Sequence, residues 1–276
     1  MNMKKQLNIS FIGGGNMAAA LIGGLAGKVT EGGNIHVIDP NLEALQSLAQ
    51  RFGVTPASEI DAMVSVSDVI VLAVKPQQMK QVIGQLRPYL TTQMVLSIAA
   101  GIRAADMSRW LGGHDVIVRC MPNTPALIGK GITGMVAGAG VSPQQRETAD
   151  LIMQAVGSTV WLDDEAKIDA VTAVSGSGPA YVFYFIEAMQ QAAQELGLTA
   201  EQGIELAKAT FTGAAQLAAQ SAEPVSLLRE RVTSKGGTTY AALTSMEDAG
   251  VKQAIVNAVK AAAARGQELG DEFGRD

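Results

Sequence analysis

The chain has 276 residues, 47% of them hydrophobic and 17% charged, with mean hydropathy +0.18, which supplies a packed core and excludes a disordered chain. Its 21 Lys+Arg against 26 Asp+Glu leave a net charge of −5, so nothing general draws it to nucleic acid. A single cysteine, Cys120, and two histidines, His36 and His114, exclude an intramolecular disulfide framework, a clustered-thiolate site and histidine-rich metal chemistry.

The start, MNMKKQLNISFIGGG, is basic, but Asn8 and Ser10 interrupt its apolar stretch and a glycine turn follows where an export signal needs a small-residue cleavage site. The run Val69–Val74 is too short to span a bilayer. A cytoplasmic chain that does not enter the membrane is therefore expected. Residues 7–12 and 35–38 read as strands, with helices over 16–26 and 42–52 between and after them. Val69–Val74, apolar on both faces, reads as a buried parallel strand. Further strands are predicted at 95–98, 116–118 and 159–162, with a helix over 143–156. Such alternation means a parallel sheet covered by helices, an α/β doubly wound fold. After Asp163 no strand pattern remains. Residues 181–196, 203–219 and 251–264 read as helices apolar over most of their circumference, which must be buried on several sides. A domain boundary is expected there, with 1–163 as dinucleotide-binding domain and 164–276 as an all-helical domain. So short a helical segment would bury such helices by pairing with a second copy.

Gly13-Gly14-Gly15-Asn16-Met17-Ala18 fits G-x-G-x-x-A, placed after a predicted strand and opening a predicted helix. Gly13 permits the tight turn, Gly15 lets backbone approach a pyrophosphate, and Ala18 lets helix and strand pack closely. The helix N-terminus then offers unpaired N–H groups to the phosphates. Asp39 ends the second strand 26 positions after Gly13. An acid there accepts from the adenine ribose 2′-hydroxyl and favours NADH over NADPH; a turn-starting Asp before Pro40 is the bland reading.

Ligands of open parallel sheets sit beyond the carboxyl ends of the strands, and three such ends are chemically unusual. Ala73-Val74-Lys75-Pro76 stops a buried strand with a cation. Ser97-Ile98-Ala99-Ala100-Gly101 is small enough for a flat ring to lie against it. Met121-Pro122-Asn123-Thr124-Pro125 sets an amide between two prolines. Cys120 beside it reads as buried filler, and His36 and His114 as structural or surface residues.

In the helical half, Ser175-Gly176-Ser177-Gly178-Pro179 and Thr233-Ser234-Lys235-Gly236-Gly237-Thr238-Thr239 each lead into a helix. Both suit capped helix starts, and both are rich enough in N–H and hydroxyl donors to hold a small carboxylate. No histidine or cysteine base accompanies them. Reducing a carbonyl calls for a strong proton donor, whereas a protonated imine needs only hydride and a modest hydrogen bond, which a threonine hydroxyl can give.

The motifs FIGGGNMA, AVKP, SIAAG, MPNTP, DAVTAVSGSGPAYVF and VTSKGGTT, in this order over the whole chain, resemble the pyrroline-5-carboxylate reductases. The resemblance implies a Rossmann domain, a helical domain intertwined with a second subunit, dimers that often assemble into a decamer, and NADPH- or NADH-dependent reduction of 1-pyrroline-5-carboxylate to L-proline. It implies that Gly13 to Ala18 bind the pyrophosphate, Asp39 faces the ribose, and Ala73, Val74, Lys75, Pro76, Ala99, Ala100 and Asn123 flank the cofactor. It further implies that Glu165, Ser175, Gly176, Ser177, Gly237, Thr238 and Thr239 line the substrate pocket across the dimer, with Thr239 hydrogen-bonded to the imine nitrogen. Lys235 stands where many members have proline, and Asp39 where NADPH-preferring ones have a neutral or hydroxyl residue. A β-hydroxyacid-type dehydrogenase would carry a lysine and an asparagine soon after the second glycine-rich turn, but 181–196 has neither. A non-catalytic redox sensor would have a damaged substrate turn, and SGSGP and GGTT are intact.

Overall fold

The computed structural model describes residues 7–275; the basic stretch 1–6, read above as no export signal, lies outside them. Eight strands form one sheet: β1 (Ile9–Ile12), β2 (Ile35–Ile38), β3 (Thr55–Ala57), β4 (Val69–Leu72), β5 (Met94–Ser97), β6 (Ile117–Met121), β7 (Gly131–Ala137) and β8 (Gly157–Trp161). Their order is β3-β2-β1-β4-β5-β6-β7-β8. The chain therefore reverses direction across the sheet between β1 and β4, the switch point at which such sheets bind ligands.

The helices over this sheet are α1 (Asn16–Leu25), α2 (Leu42–Phe52), α3 (Met79–Leu86), α4 (Ala104–Trp110) and α5 (Pro143–Gln154). Period-two alternation sends Ile9, Phe11, Val37, Val69 and Val71 to one face, against Leu21, Ile22 and Leu25 of α1 and Ile152 and Met153 of α5. Ile12, Ile38, Ile70 and Leu72 go to the other, against Met79, Ile83 and Leu86 of α3 and Met107 of α4. Local chemistry sets the helix ends. Asn41 caps α2 by accepting from Glu43 and Ala44 N–H at 3.1 Å, and Gly53 ends it at φ +67°. Ser142 and Gln145 form a capping box on α5.

The sheet is parallel, as the sequence pattern implies, from β3 through β6, and one pairing beyond that departs from it. β7 pairs antiparallel with β6, then parallel with β8. The connection from Met121 to Gly131 holds only a 3-10 turn, Thr124–Ile128, too short for the crossover that a parallel pair needs. β7 and β3 are additions to the sequence reading. β3 contains Pro56 and lies at the sheet edge, where a missing N–H is tolerated.

The chain continues through α6 (Lys167–Val171), a π-turn at Thr172–Gly176, α7 (Gly178–Glu195), α8 (Ala200–Gln220), α9 (Val225–Arg231), α10 (Thr238–Asp248) and α11 (Val251–Phe273). Two compact units result: one runs up to Gly176 and resumes at Ala262, and the other is Ser177–Ala261. Within the second, α8 starts at a Thr199–Gln202 capping box and meets α7 at Gly203, where an added Cβ would lie 3.0 Å from that of Ala193. Phe185 and Phe211 stack with centroids 6.5 Å apart. Yet α7 has no buried residue, and Phe183 and Tyr184 are 59% and 72% exposed. No described helix is long and apolar enough to cross a membrane.

Candidate functional site

The carboxyl edge of the sheet is built around Gly13. Its φ is +105°, and a Cβ there would stand 2.7 Å from the Ala73 carbonyl oxygen, so β1 can turn beside the end of β4 only through glycine. Gly13 N–H donates to Ile38 O and Ala73 N–H to Ile12 O, each at 2.8 Å, tying the ends of β2, β1 and β4 together. Gly15 caps α1 with no side-chain hydrogen bond, and the first turn holds no acid. A Cβ on Gly15 would meet nothing within 4 Å. This open helix start, with its N–H groups and positive dipole end, is an anion cradle. Asn16 is exposed, Met17 half-buried and Ala18 buried, the last packed into the core on that face.

Asp39 stands just after β2. Its Oδ2 accepts from Gly14 N–H at 2.7 Å and its Oδ1 from Asn41 N–H at 2.8 Å. Both oxygens are thus fixed by backbone at the glycine turn. Along the same edge, Ala73 and Val74 are half-buried, and exposed Lys75 precedes a 3-10 turn opened by Pro76. Beyond β5, Ile98 N–H reaches back to Leu72 O at 3.1 Å. Ala99 is buried, Ala100 half-buried, and Gly101 turns at φ +74° against Leu269 and Phe273 of α11.

Beyond β6, Asn123 is buried and its amide is spent within the protein: Oδ1 accepts from Ile132 N–H at 3.0 Å and Nδ2 donates to Ser175 O at 3.2 Å. A Cβ on Gly176 would come within 2.6 Å of Met121 Cε. The MPNTP loop and the π-turn, 52 residues apart at Asn123 and Ser175, therefore form one structure. Ser175 Oγ donates to Val171 O at 3.0 Å inside that turn, and such π-turns occur frequently at functional sites. Glu165, half-buried, accepts through Oε1 from Ala104 N–H at 2.7 Å and from Arg119 Nη1 at 2.9 Å.

In the second unit, Ser177 caps α7 and Gly237 caps α10, neither with a side-chain hydrogen bond. Gly236 turns at φ +72° into that start. Thr238 and Thr239 form the first turn of α10, Thr239 half-buried, and no acid occupies that turn. Both helices thus begin at a positive dipole end, and at α10 the exposed Thr238 and half-buried Thr239 add hydroxyls to it.

Sequence reasoning passed over Arg119. Its side chain is only 4% exposed, and Nε is buried without a partner. A cation inside the apolar strand VIVRCM was the available signal, since charges are almost never buried unpaired. Cys120 is buried, and burial pushes its thiol pKa well up. His36 is buried in β2, with Nδ1 3.4 Å from Ser10 Oγ and Nε2 3.6 Å from Asp61 Oδ2. Among the described residues no cluster of His, Cys, Asp and Glu could hold a metal ion.

A glycine-turned βα unit at the start of a doubly wound sheet, with an open anion cradle at its switch point and a helical region after it, defines a dinucleotide-binding oxidoreductase of the Rossmann class. Residues 8–101 match the family described as NADP oxidoreductase coenzyme F420-dependent, and 165–269 match pyrroline-5-carboxylate reductase dimerisation. The pyrroline-5-carboxylate reductase of Pseudomonas aeruginosa is 46% identical over 97% of this chain and 98% of its own. A pyrroline-5-carboxylate reductase structure from Coxiella burnetii superposes with TM-score 0.91 at 39% identity, covering 96% of this chain and 99% of that one. The Plasmodium falciparum enzyme, solved with NADP bound, gives TM-score 0.84 at 29% identity, covering 96% and 98%. The chain belongs to the pyrroline-5-carboxylate reductase family.

Proposed function

We propose that this protein reduces 1-pyrroline-5-carboxylate to L-proline with NADPH or NADH, the last step of proline biosynthesis, in the cytoplasm. The observation that carries the reading is the uncapped start of α1 beside Gly13, an anion cradle in a chain that matches the Pseudomonas aeruginosa reductase over nearly its full length. Residues 1–163 bind the dinucleotide, and 164–276 bind substrate and pair the subunits.

The glycine turn Gly13 to Ala18 holds the pyrophosphate through the backbone N–H groups from Gly15 onward, Gly14 N–H being held by Asp39, and Asp39 accepts from the adenine ribose. Ala73 to Pro76, Ala99 and Ala100 flank the cofactor, while Asn123 holds the MPNTP loop in place beside it. When bound, the nicotinamide supplies the hydride. Glu165, Ser175, Gly176, Ser177, Gly237, Thr238 and Thr239 line the substrate side. The N–H groups at the start of α10 take the substrate carboxylate, and the dipole end favours its charge. Thr239 Oγ1 is the hydrogen-bond partner of the ring nitrogen, accepting from the N–H of the protonated imine. A protonated imine already carries the proton a carbonyl would have to be given, so no stronger acid is required.

The helical surface left open in one chain, including Phe183 and Tyr184, exceeds scattered exposure and suits burial against a second copy. A dimer through this surface, with dimers assembling further into a decamer, follows from the reading, and light scattering after gel filtration measures it. The direct test is steady-state reduction of 1-pyrroline-5-carboxylate with NADH and NADPH in parallel, for wild type and Thr239→Ala. Loss of roughly 10²-fold in kcat is expected, with dinucleotide affinity kept. Unchanged kcat removes Thr239 from the mechanism, and no turnover by wild type removes the function.

A further inference from the structure

We propose that Arg119 and Glu165 are a positioning pair that holds the loop after β5, residues 98–103, in the shape the dinucleotide needs; the proposal rests on the cofactor reading above. Glu165 borders the substrate side, but its Oε1 points its chemistry inward. It accepts at once from Arg119 Nη1 at 2.9 Å and from Ala104 N–H at 2.7 Å. Ala104 opens α4, and the residue before it, Arg103, supplies no side-chain cap. The carboxylate, 61 residues further along the chain, therefore satisfies one of the orphan N–H groups of that helix start. In doing so it pins the end of the segment that carries Ala99 and Ala100.

The start and middle of this segment are held by other contacts, Ile98 N–H to Leu72 O at 3.1 Å and the buried side chains of Ala99 and Ile102, but none of them satisfies the Ala104 N–H. At its start, Ala99 N–H reaches Ser97 Oγ only at 3.4 Å. At its middle, Gly101 rests on Leu269 and Phe273. Arg103 turns away to Asp271 at 2.5 Å. Arg119 in turn fixes the carboxylate, and it stands two residues before the end of β6, at the root of the MPNTP loop. The pair thus links the loops after β5 and β6 to the segment leading into the π-turn.

Stability alone is a poor reason for such a pair. The Arg119 side chain is 4% exposed and leaves Nε buried and unpartnered. Replacing buried ion pairs by apolar residues is often neutral or stabilising, and polar groups retained at a cost cluster at functional sites. Arg119 touches no reacting atom in this account; it acts through Glu165 and the Ala104 amide.

The experiment measures binary dissociation constants for NADH and NADPH by calorimetry, without imino acid, in wild type, Glu165→Ala, Arg119→Met, the double variant and Arg119→Lys. Amide exchange at Ala104 is followed in the same proteins. Glu165→Ala and Arg119→Met should each weaken the dinucleotide that wild type binds better by roughly 3- to 30-fold. The double variant should be no weaker than the worse single one, because both act on one path. Arg119→Lys should recover most of the loss, since a single N–H is spent on Glu165, and Ala104 exchange should quicken wherever affinity falls. Wild-type affinity in Glu165→Ala, with a defect confined to the KM of the imino acid, would overturn the proposal and leave Glu165 a substrate contact. Should Arg119→Met fail to fold, half-buried Glu165 carries the test through its alanine variant. Wild type that binds neither dinucleotide overturns the cofactor reading and this proposal with it.

Discussion

Exchanging Asp39 for serine should move the enzyme from NADH toward NADPH. The carboxylate is held at the end of β2 by Gly14 N–H at 2.7 Å and Asn41 N–H at 2.8 Å, so it cannot swing away from an arriving 2′-phosphate. Two unit charges 4 Å apart repel by about 1 kcal/mol in bulk water and about 4 kcal/mol near a protein surface. Asp39 is half-buried, so about 2–3 kcal/mol is a fair figure, equivalent to roughly 30- to 150-fold in relative kcat/KM. Serine removes the charge and is too short to reach Gly14, whose N–H is then released toward a phosphate oxygen. Asp39→Asn separates the two effects in part, because it loses the charge but keeps one acceptor oxygen, enough for either Gly14 N–H or Asn41 N–H. The assay is kcat/KM for NADH and NADPH at fixed imino acid, at low and high salt, since repulsion of this kind is screened. An NADPH/NADH ratio unmoved in both variants would refute the reasoning, leaving Asp39 as a brace of the glycine turn.

Gly13→Ala would force φ +105° on a residue whose Cβ meets Ala73 O at 2.7 Å; it should cost about 3 kcal/mol or more in urea unfolding and lose dinucleotide binding, and a wild-type midpoint would contradict the close approach. Burial, opposed by the Asp61 carboxylate, holds His36 below its ordinary pKa. The unfolded chain therefore takes up a proton that the native one refuses, so His36 should leave stability intact above about pH 6.5 and erode it as pH falls further; His36→Asn should flatten that slope, and parallel curves would rule the histidine out. Cys120, buried with its thiol pKa pushed up, should stay unmodified by a thiol reagent in the native protein and react on unfolding; fast native labelling would contradict its burial. If the helical surface pairs with a second copy, Tm should rise with protein concentration, and a constant Tm across a hundredfold range would argue against it.

Strands β1, β2, β4 and β5 were legible because each is a four-residue run, fully buried on both faces, which a parallel sheet imposes on sequence. β7 was not, because Gly131 and Gly134 break its pattern for reasons that lie elsewhere in the chain. A Cβ on Gly131 would meet Ala126 at 3.0 Å, and one on Gly134 would meet Val171 at 2.7 Å. Glycine in a strand marks close approach, but the sequence does not name the neighbour. The same holds at the site. The glycine turn is local and reads directly, whereas the Asn123–Ser175 and Arg119–Glu165 bonds span 52 and 46 residues and follow from no spacing rule. Glu165 was reached only through the family resemblance, and Arg119 not at all.

The chemistry of the described donors agrees with an imine better than with a carbonyl. Two titratable groups that could serve as strong proton donors are withheld: Cys120 is buried with its thiol pKa raised, and His36 is buried between Ser10 and Asp61 with its pKa lowered. What the starts of α1, α7 and α10 offer instead is a set of backbone N–H groups and hydroxyls. Such groups hold anions through fixed dipoles and change protonation state nowhere near neutrality. A substrate that brings its own carboxylate and its own proton on nitrogen asks for such holding and for hydride, and for no acid beyond a hydroxyl.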